Sequence, residues 1–138
     1  IYCYRNPLDN IKEVYKKNMG IKHTYSCSIL ESAYIWMETN SLMKKYKKMY
    51  SAKIYFFNYD KLVSKPEEEI ENLIEWLDWD FDSKYLTPSL DPTTKINFSR
   101  ESERINKDGL HSWKNYRELL TPAIELFNEN PELKSLIE

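Results

Sequence analysis

The chain has 138 residues, enough for one domain with one modest core. Hydrophobic residues make up 41%, which permits that core, and the formal net charge of −2 gives no whole-chain field of the kind that draws nucleic acid or an acidic membrane. Only two glycines occur, Gly20 and Gly109, which excludes a glycine-rich phosphate loop of either common spacing.

Ile1 to Tyr4 is a short apolar run of β type. It has no polar lead-in, so it reads as a strand already under way and the chain as part of a longer domain. Asn6 followed by Pro7 predicts a helix start, with Asn6 as N-cap and Pro7 in the first turn. Asp9 adds a carboxylate near the positive end of that helix, which is expected to run to about Met19 and stop at Gly20. A long second helix is predicted from about Ser28 to Tyr50. Ile29, Ala33, Trp36, Met43 and Tyr50 recur at helical spacing, with Leu30, Tyr34 and Met37 beside them. Lys44, Lys45, Lys47 and Lys48 within it read as a solvated basic face.

Lys53 to Tyr59 (KIYFFNY) is rich in β-branched and aromatic residues and predicts a buried strand. Ser64 to Glu67 has the spacing of a capping box. Ile70, Leu73, Ile74 and Leu77 then give a third helix one apolar stripe. Glu67 to Glu69 read as a solvated acidic face. From Asp78 to about Leu110 the periodicity dissolves into a long polar stretch, which is either functional or disordered. Two helical pieces bent at Pro122, Trp113 to Leu120 and Ala123 to Phe127, complete the order. Two strands joined through helices favour a parallel pair in an α/β layer, within a single partial domain spanning residues 1–138.

Cys3 and Cys27 are too few for a disulfide scaffold, and Cys3 is expected as a reduced, buried thiol. There is no CxxC motif, and His23 and His111 are far apart in sequence, so no zinc site is expected. No apolar run approaches the ~20 residues of a membrane span, and no signal peptide is visible. A cytosolic protein, or a soluble part of one, is the expectation.

Three segments carry chemistry. A strand leads into Arg5, and a helix starts at once behind it. Ligands of open α/β sheets bind off the carboxyl ends of strands, helix N-termini attract anions, and a guanidinium fork suits phosphate oxygens. Arg5 is thus either an anion ligand or the partner of a carboxylate such as Asp9. Tyr59 follows the second strand. On parallel strands it would emerge on the same rim as Arg5, to meet a planar ligand or to cap the core. Trp113-Lys114-Asn115-Tyr116 follows the polar stretch, with Arg104, Lys107 and Lys114 as cations and Ser112 as a donor. Trp113 is either a core anchor for the last helix or a ligand contact.

Tyr4-Arg-Asn-Pro-Leu-Asp-Asn10, then Phe57-Asn-Tyr-Asp-Lys-Leu-Val63 with Pro66 and an acidic helix behind it, then Trp113-Lys-Asn-Tyr116, occur in that order across nearly the whole chain. Together they resemble the sulfotransferase superfamily, in particular its tyrosylprotein-type and bacterial repeat-associated members. The resemblance implies the carboxy-terminal part of a P-loop-like sulfotransferase fold, with two parallel strands and a mostly helical remainder. It implies 3′-phosphoadenosine 5′-phosphosulfate as the sulfuryl donor, with no metal. The arginine matching Arg5 would hold the 3′-phosphate, the tyrosine matching Tyr59 would lie by the adenine, and the segment from Arg104 to Trp113 would close over the phosphate. The acceptor, a hydroxyl or amine, is not named by the sequence.

The chain departs from the family pattern in three ways. The family's 5′-phosphosulfate loop and catalytic base lie upstream of the segment matching Ile1 to Tyr4, so no catalytic residue is assigned. Glu13 stands where the family usually has a serine as second phosphate ligand, and an ionised carboxylate there would repel a phosphate. Glu103 stands where a lysine is expected. Two rival readings follow. One is a sulfotransferase-like binding protein that has lost the donor. The other is a helical interaction module that self-associates through the Tyr, Trp and Met stripe of the long helix.

Overall fold

In this computed structural model residues 1–17, 19–86 and 109–137 are described. The chain is a mixed α/β structure, mostly helical around a two-stranded parallel sheet. Strands β1 (Tyr2–Tyr4) and β2 (Phe56–Asn58) pair with Tyr2 opposite Phe56, Cys3 opposite Phe57 and Tyr4 opposite Asn58. The parallel pairing expected from the strand-helix-helix-strand order is thus present. Alternation of side chains puts different rings on the two faces. Phe56 meets Tyr2 and Tyr4 at centroid distances of 5.1 and 5.9 Å, whereas Tyr55 meets Phe57 and Trp76 at 6.5 and 5.4 Å.

Helix α1 (Pro7–Lys17) starts as its sequence predicts. The Asn6 side-chain oxygen accepts from the N–H groups of Leu8 (3.0 Å) and Asp9 (3.2 Å), and Leu8 and Ile11 are fully buried. Lys16 and Lys17 close its last turn, where cations are favoured. Gly20 follows with φ +79°, a conformation that suits glycine, and leads into a 3₁₀ stretch over Ile21–Cys27. Helix α2 (Ile29–Met49) is capped by Ser28, whose hydroxyl accepts from the N–H of Glu31 at 3.3 Å.

The second strand is shorter than the apolar run suggests. Asn58 ends it, because its side-chain oxygen accepts from the N–H groups of Asp60 (2.9 Å) and Lys61 (3.1 Å) and so starts helix α3 (Tyr59–Ser64). Tyr59 is therefore helical. The expected capping box does not form. Ser64 closes α3 instead, donating its hydroxyl to the carbonyl of Asp60 at 2.6 Å, and helix α4 (Pro66–Trp76) starts without a side-chain cap. Glu69 of α4 turns inward, where its carboxylate accepts from the N–H of Asn58 at 3.0 Å and covers the outer edge of β2.

A 3₁₀ turn at Ser83–Leu86 precedes the undescribed residues, and another at Ser112–Tyr116 follows them. Pro122 starts helix α5 (Thr121–Asn128) where a bend between two pieces was expected. Helix α6 (Pro131–Lys134), capped by Asn130, follows. The core lies between α1, α2, the 3₁₀ turn and α5–α6, where Leu8, Ile11, Ala33, Leu120, Ala123 and Phe127 are fully buried. Cys3 and Cys27 are both exposed, so Cys3 is not the buried thiol expected, although it sits within the strand. No helix among the described residues is long and apolar enough to cross a membrane.

Candidate functional site

Arg5 sits directly after β1, between the strand end and the start of α1. Its side chain is 17% exposed and held from three directions. Its Nη2 donates to the Gly109 carbonyl at 3.0 Å and lies 3.7 Å from Asp9 Oδ2. Its Nε lies 3.8 Å from Asp60 Oδ1, and neither of those buried atoms has a hydrogen-bond partner among the described residues. The guanidinium carbon is 5.2 Å from the centre of the Tyr59 ring, within range for a cation–π contact. Of the two sequence readings of Arg5, the carboxylate partner is present, in Asp9 and in Asp60 as well.

Asp9 is the hub beneath it. This fully buried carboxylate accepts from the N–H groups of His111 and Trp113, both at 2.8 Å, and from the Ser112 hydroxyl at 3.0 Å. His111 adopts a left-handed backbone (φ 53°, ψ 16°), which aims these successive donors at one point. Lys12, whose side chain is 4% exposed, bonds Ser112, lies 4.0 Å from Asp9 and pairs with Glu13 at 2.9 Å. Lys12 and Lys16 both stand over the Tyr116 ring, at 5.5 and 5.8 Å.

Glu13 therefore faces Lys12. Partial burial pushes its carboxyl up, but the hydrogen bond and charge of Lys12, with Lys16 and Arg5 behind, outweigh that and hold it below the usual carboxylate range.

The fold brings Arg5, Tyr59 and the Gly109–Tyr116 segment together. Trp113 lies in the core cluster at 5% exposure, as an anchor, and its indole N–H has no hydrogen-bond partner among the described residues. Lys114 is exposed on the same turn. Arg104, Lys107 and Glu103 lie outside the described residues. Asp60 was not singled out by the sequence reading. Its signal was present in the Asn58-Tyr-Asp order, which caps a helix, but its pairing with Arg5 spans 55 positions (60 − 5) and leaves no local trace.

No protein-family model matches the chain. No solved structure matches it. A protein of Aquifex aeolicus (strain VF5), described as uncharacterized, is 24% identical over 134 residues, which cover 94% of this chain and 18% of that one. The chain thus spans less than a fifth of the length of that relative.

Proposed function

We propose that the chain is the nucleotide-binding part of a sulfotransferase, holding the 3′-phosphate of 3′-phosphoadenosine 5′-phosphosulfate at Arg5. The observation that carries this reading is the convergence of three distant segments on one guanidinium. The Tyr59 ring is 5.2 Å away, the Gly109 carbonyl accepts from it at 3.0 Å, and α1 begins two residues behind it. The guanidinium stands at a strand end beside the start of α1, with its Nε buried against Asp60 and the N–H groups of Leu8 and Asp9 capped by Asn6, so a phosphate oxygen would have to take the place of Asp60 on Arg5. The donor would supply the activated sulfuryl group, and this chain's residues would orient and hold the nucleotide. No acceptor base is assigned.

The charges around Arg5 limit what it can do alone. Arg5, Lys12 and Lys16 are matched by Asp9, Glu13 and Asp60, three against three. A phosphate must compete with Asp60 for Arg5, so further cations are needed, and Arg104 and Lys107 are the candidates in sequence. A second reading, a sulfotransferase-like binding protein that no longer takes the donor, is favoured by this same internal neutralisation.

Titration with 3′-phosphoadenosine 5′-phosphate by calorimetry at low salt separates the two. Saturable binding that Arg5→Ala weakens by about 1.5–3 kcal/mol, the value of a charged hydrogen bond, supports the first reading. Binding that is absent, or indifferent to Arg5, supports the second.

A further inference from the structure

Helix α2 is apolar on two opposite sides. Ile29 and Ala33 are buried, and Trp36 and Met37 pack against the core, so the stripe visible in the sequence turns largely inward. A second stripe stands on the outer side. Ile35, Leu42, Tyr46 and Met49 are 40% to 67% exposed, and Thr39 among them is exposed as well. On a helix of 3.6 residues per turn these five positions fall within about 80° of one another, opposite Ala33 and Asn40. Their spacing is four, three, four and three residues, the repeat by which two helices pack side by side. The solvent side of a surface helix is normally polar, and a run of exposed apolar side chains marks a contact surface.

Charges flanking the stripe choose the occupant. Glu38 and Lys45 are exposed and lie one heptad apart on the same edge of the stripe, and neither forms an ion pair among the described residues. Two copies of α2 laid antiparallel, with a two-fold axis midway between these residues, bring Glu38 of each beside Lys45 of the other. That makes two pairs of opposite charge. Laid parallel, the same edge meets the opposite one, where Met43 and Tyr50 stand, and no charge pair forms. Edge charges of this kind set partner and orientation. The stripe is therefore self-complementary in one orientation only.

We propose that α2 docks antiparallel against α2 of a second copy of this chain, through Ile35, Thr39, Leu42, Tyr46 and Met49. Leu42 packs on Thr39 of the second copy, and Ile35 on its Tyr46. At 1.5 Å per residue the seam is about 21 Å long, small for a standing interface, so the dimer is weak and concentration-dependent. The helix is already formed in the single chain, so pairing has no backbone to order. The contact goes beyond the nucleotide reading and uses neither Arg5 nor Tyr59.

The test is sedimentation equilibrium of the whole chain over a range of concentrations, under reducing conditions because Cys3 and Cys27 are exposed. The mean mass should rise from one chain toward two. Leu42→Glu puts a charge into the seam and should raise the dissociation constant about tenfold or more. Leu42 is exposed in the single chain, so the variant should keep the helical circular-dichroism signal and the thermal midpoint of dilute wild type. Glu38→Lys and Lys45→Glu should each weaken the dimer, most at low salt. The two together should restore it, which only the antiparallel arrangement predicts. A single-chain mass up to millimolar concentration overturns the proposal and leaves the stripe to a different protein segment. A dimer indifferent to Leu42→Glu, or one that the double exchange fails to restore, overturns it as well.

Discussion

The helical side of the molecule and the sheet side are built to different standards. Around α1, α2 and α5, six apolar side chains are fully buried, among them Leu8, Ile11 and Phe127. In the two strands no residue is buried, and Val63 and Ile74 are the buried apolar residues of α3 and α4. A pair of three-residue strands has no independent stability. The sheet is therefore carried by the helices, and the site lies on the seam, where Arg5 and Asn6 reach from the helical side to Asp60 on the other. A site on such a seam can alter its pairing without disturbing the main core.

The sharpest way to break this asymmetry is to open a cavity on each side. Phe127→Ala removes a fully buried ring that packs on Trp36 at 5.8 Å, and should cost about 3–5 kcal/mol in urea denaturation. Phe56→Ala removes a half-buried ring of the sheet and should cost less than half as much. Equal losses would mean that the sheet contributes as fully as the helical core.

Asp9→Ala tests the tie that holds the Gly109–Trp113 segment to α1. It removes the acceptor of three hydrogen bonds and leaves Lys12 buried with less compensation, so a loss of about 3–5 kcal/mol is expected. Asp9→Asn keeps the shape and one acceptor, and should fall between. A loss below about 1 kcal/mol would show that the core around Trp113, and not the carboxylate, positions the segment.

The frame of the helical side is legible in the sequence because its signals are local. Asn6, Pro7 and Ser28 are start signals whose partners lie two or three residues away. On the sheet side local signals compete. Asn58 lies within an apolar strand pattern but acts as a helix cap, and Ser64 fits a capping box but closes the helix before it. The role of Asp9 at the helix start was legible only as a favourable charge, since the donors it binds lie 102 to 104 positions away. Arg5 and Tyr59 could be placed on one rim from the strand order, and Asp9, four residues on, could be named as a partner of Arg5, but the second carboxylate, Asp60, depends on packing that no local pattern encodes.

Glu69→Ala sharpens the comparison from the sheet side. The carboxylate is nearly buried and takes the outward N–H of Asn58, so its loss leaves a strand-edge donor without its acceptor and should cost about 1–3 kcal/mol. The damage should be local. Hydrogen exchange is expected to speed up at Asn58 and its neighbours in β2, and to stay unchanged at Leu8 and Ile11 in α1. Faster exchange in α1 as well would show that the two sides unfold as one unit.

The smallest effect concerns Glu13, on the helical side of the seam. Its folded carboxyl titrates below the usual carboxylate range, first against the push of partial burial and then because Lys12, Lys16 and Arg5 favour the ionised form. A carboxyl lowered on folding contributes stability that is present above its unfolded pKa and lost as pH falls through the folded one. Wild type should therefore exceed Glu13→Gln in stability at neutral pH by a small margin, because the group is partly exposed. The two midpoints should converge as the solution is acidified below the usual carboxylate range. A gap that persists unchanged into acid would show that the side chain acts through packing, and that its charge does not hold Lys12 in place.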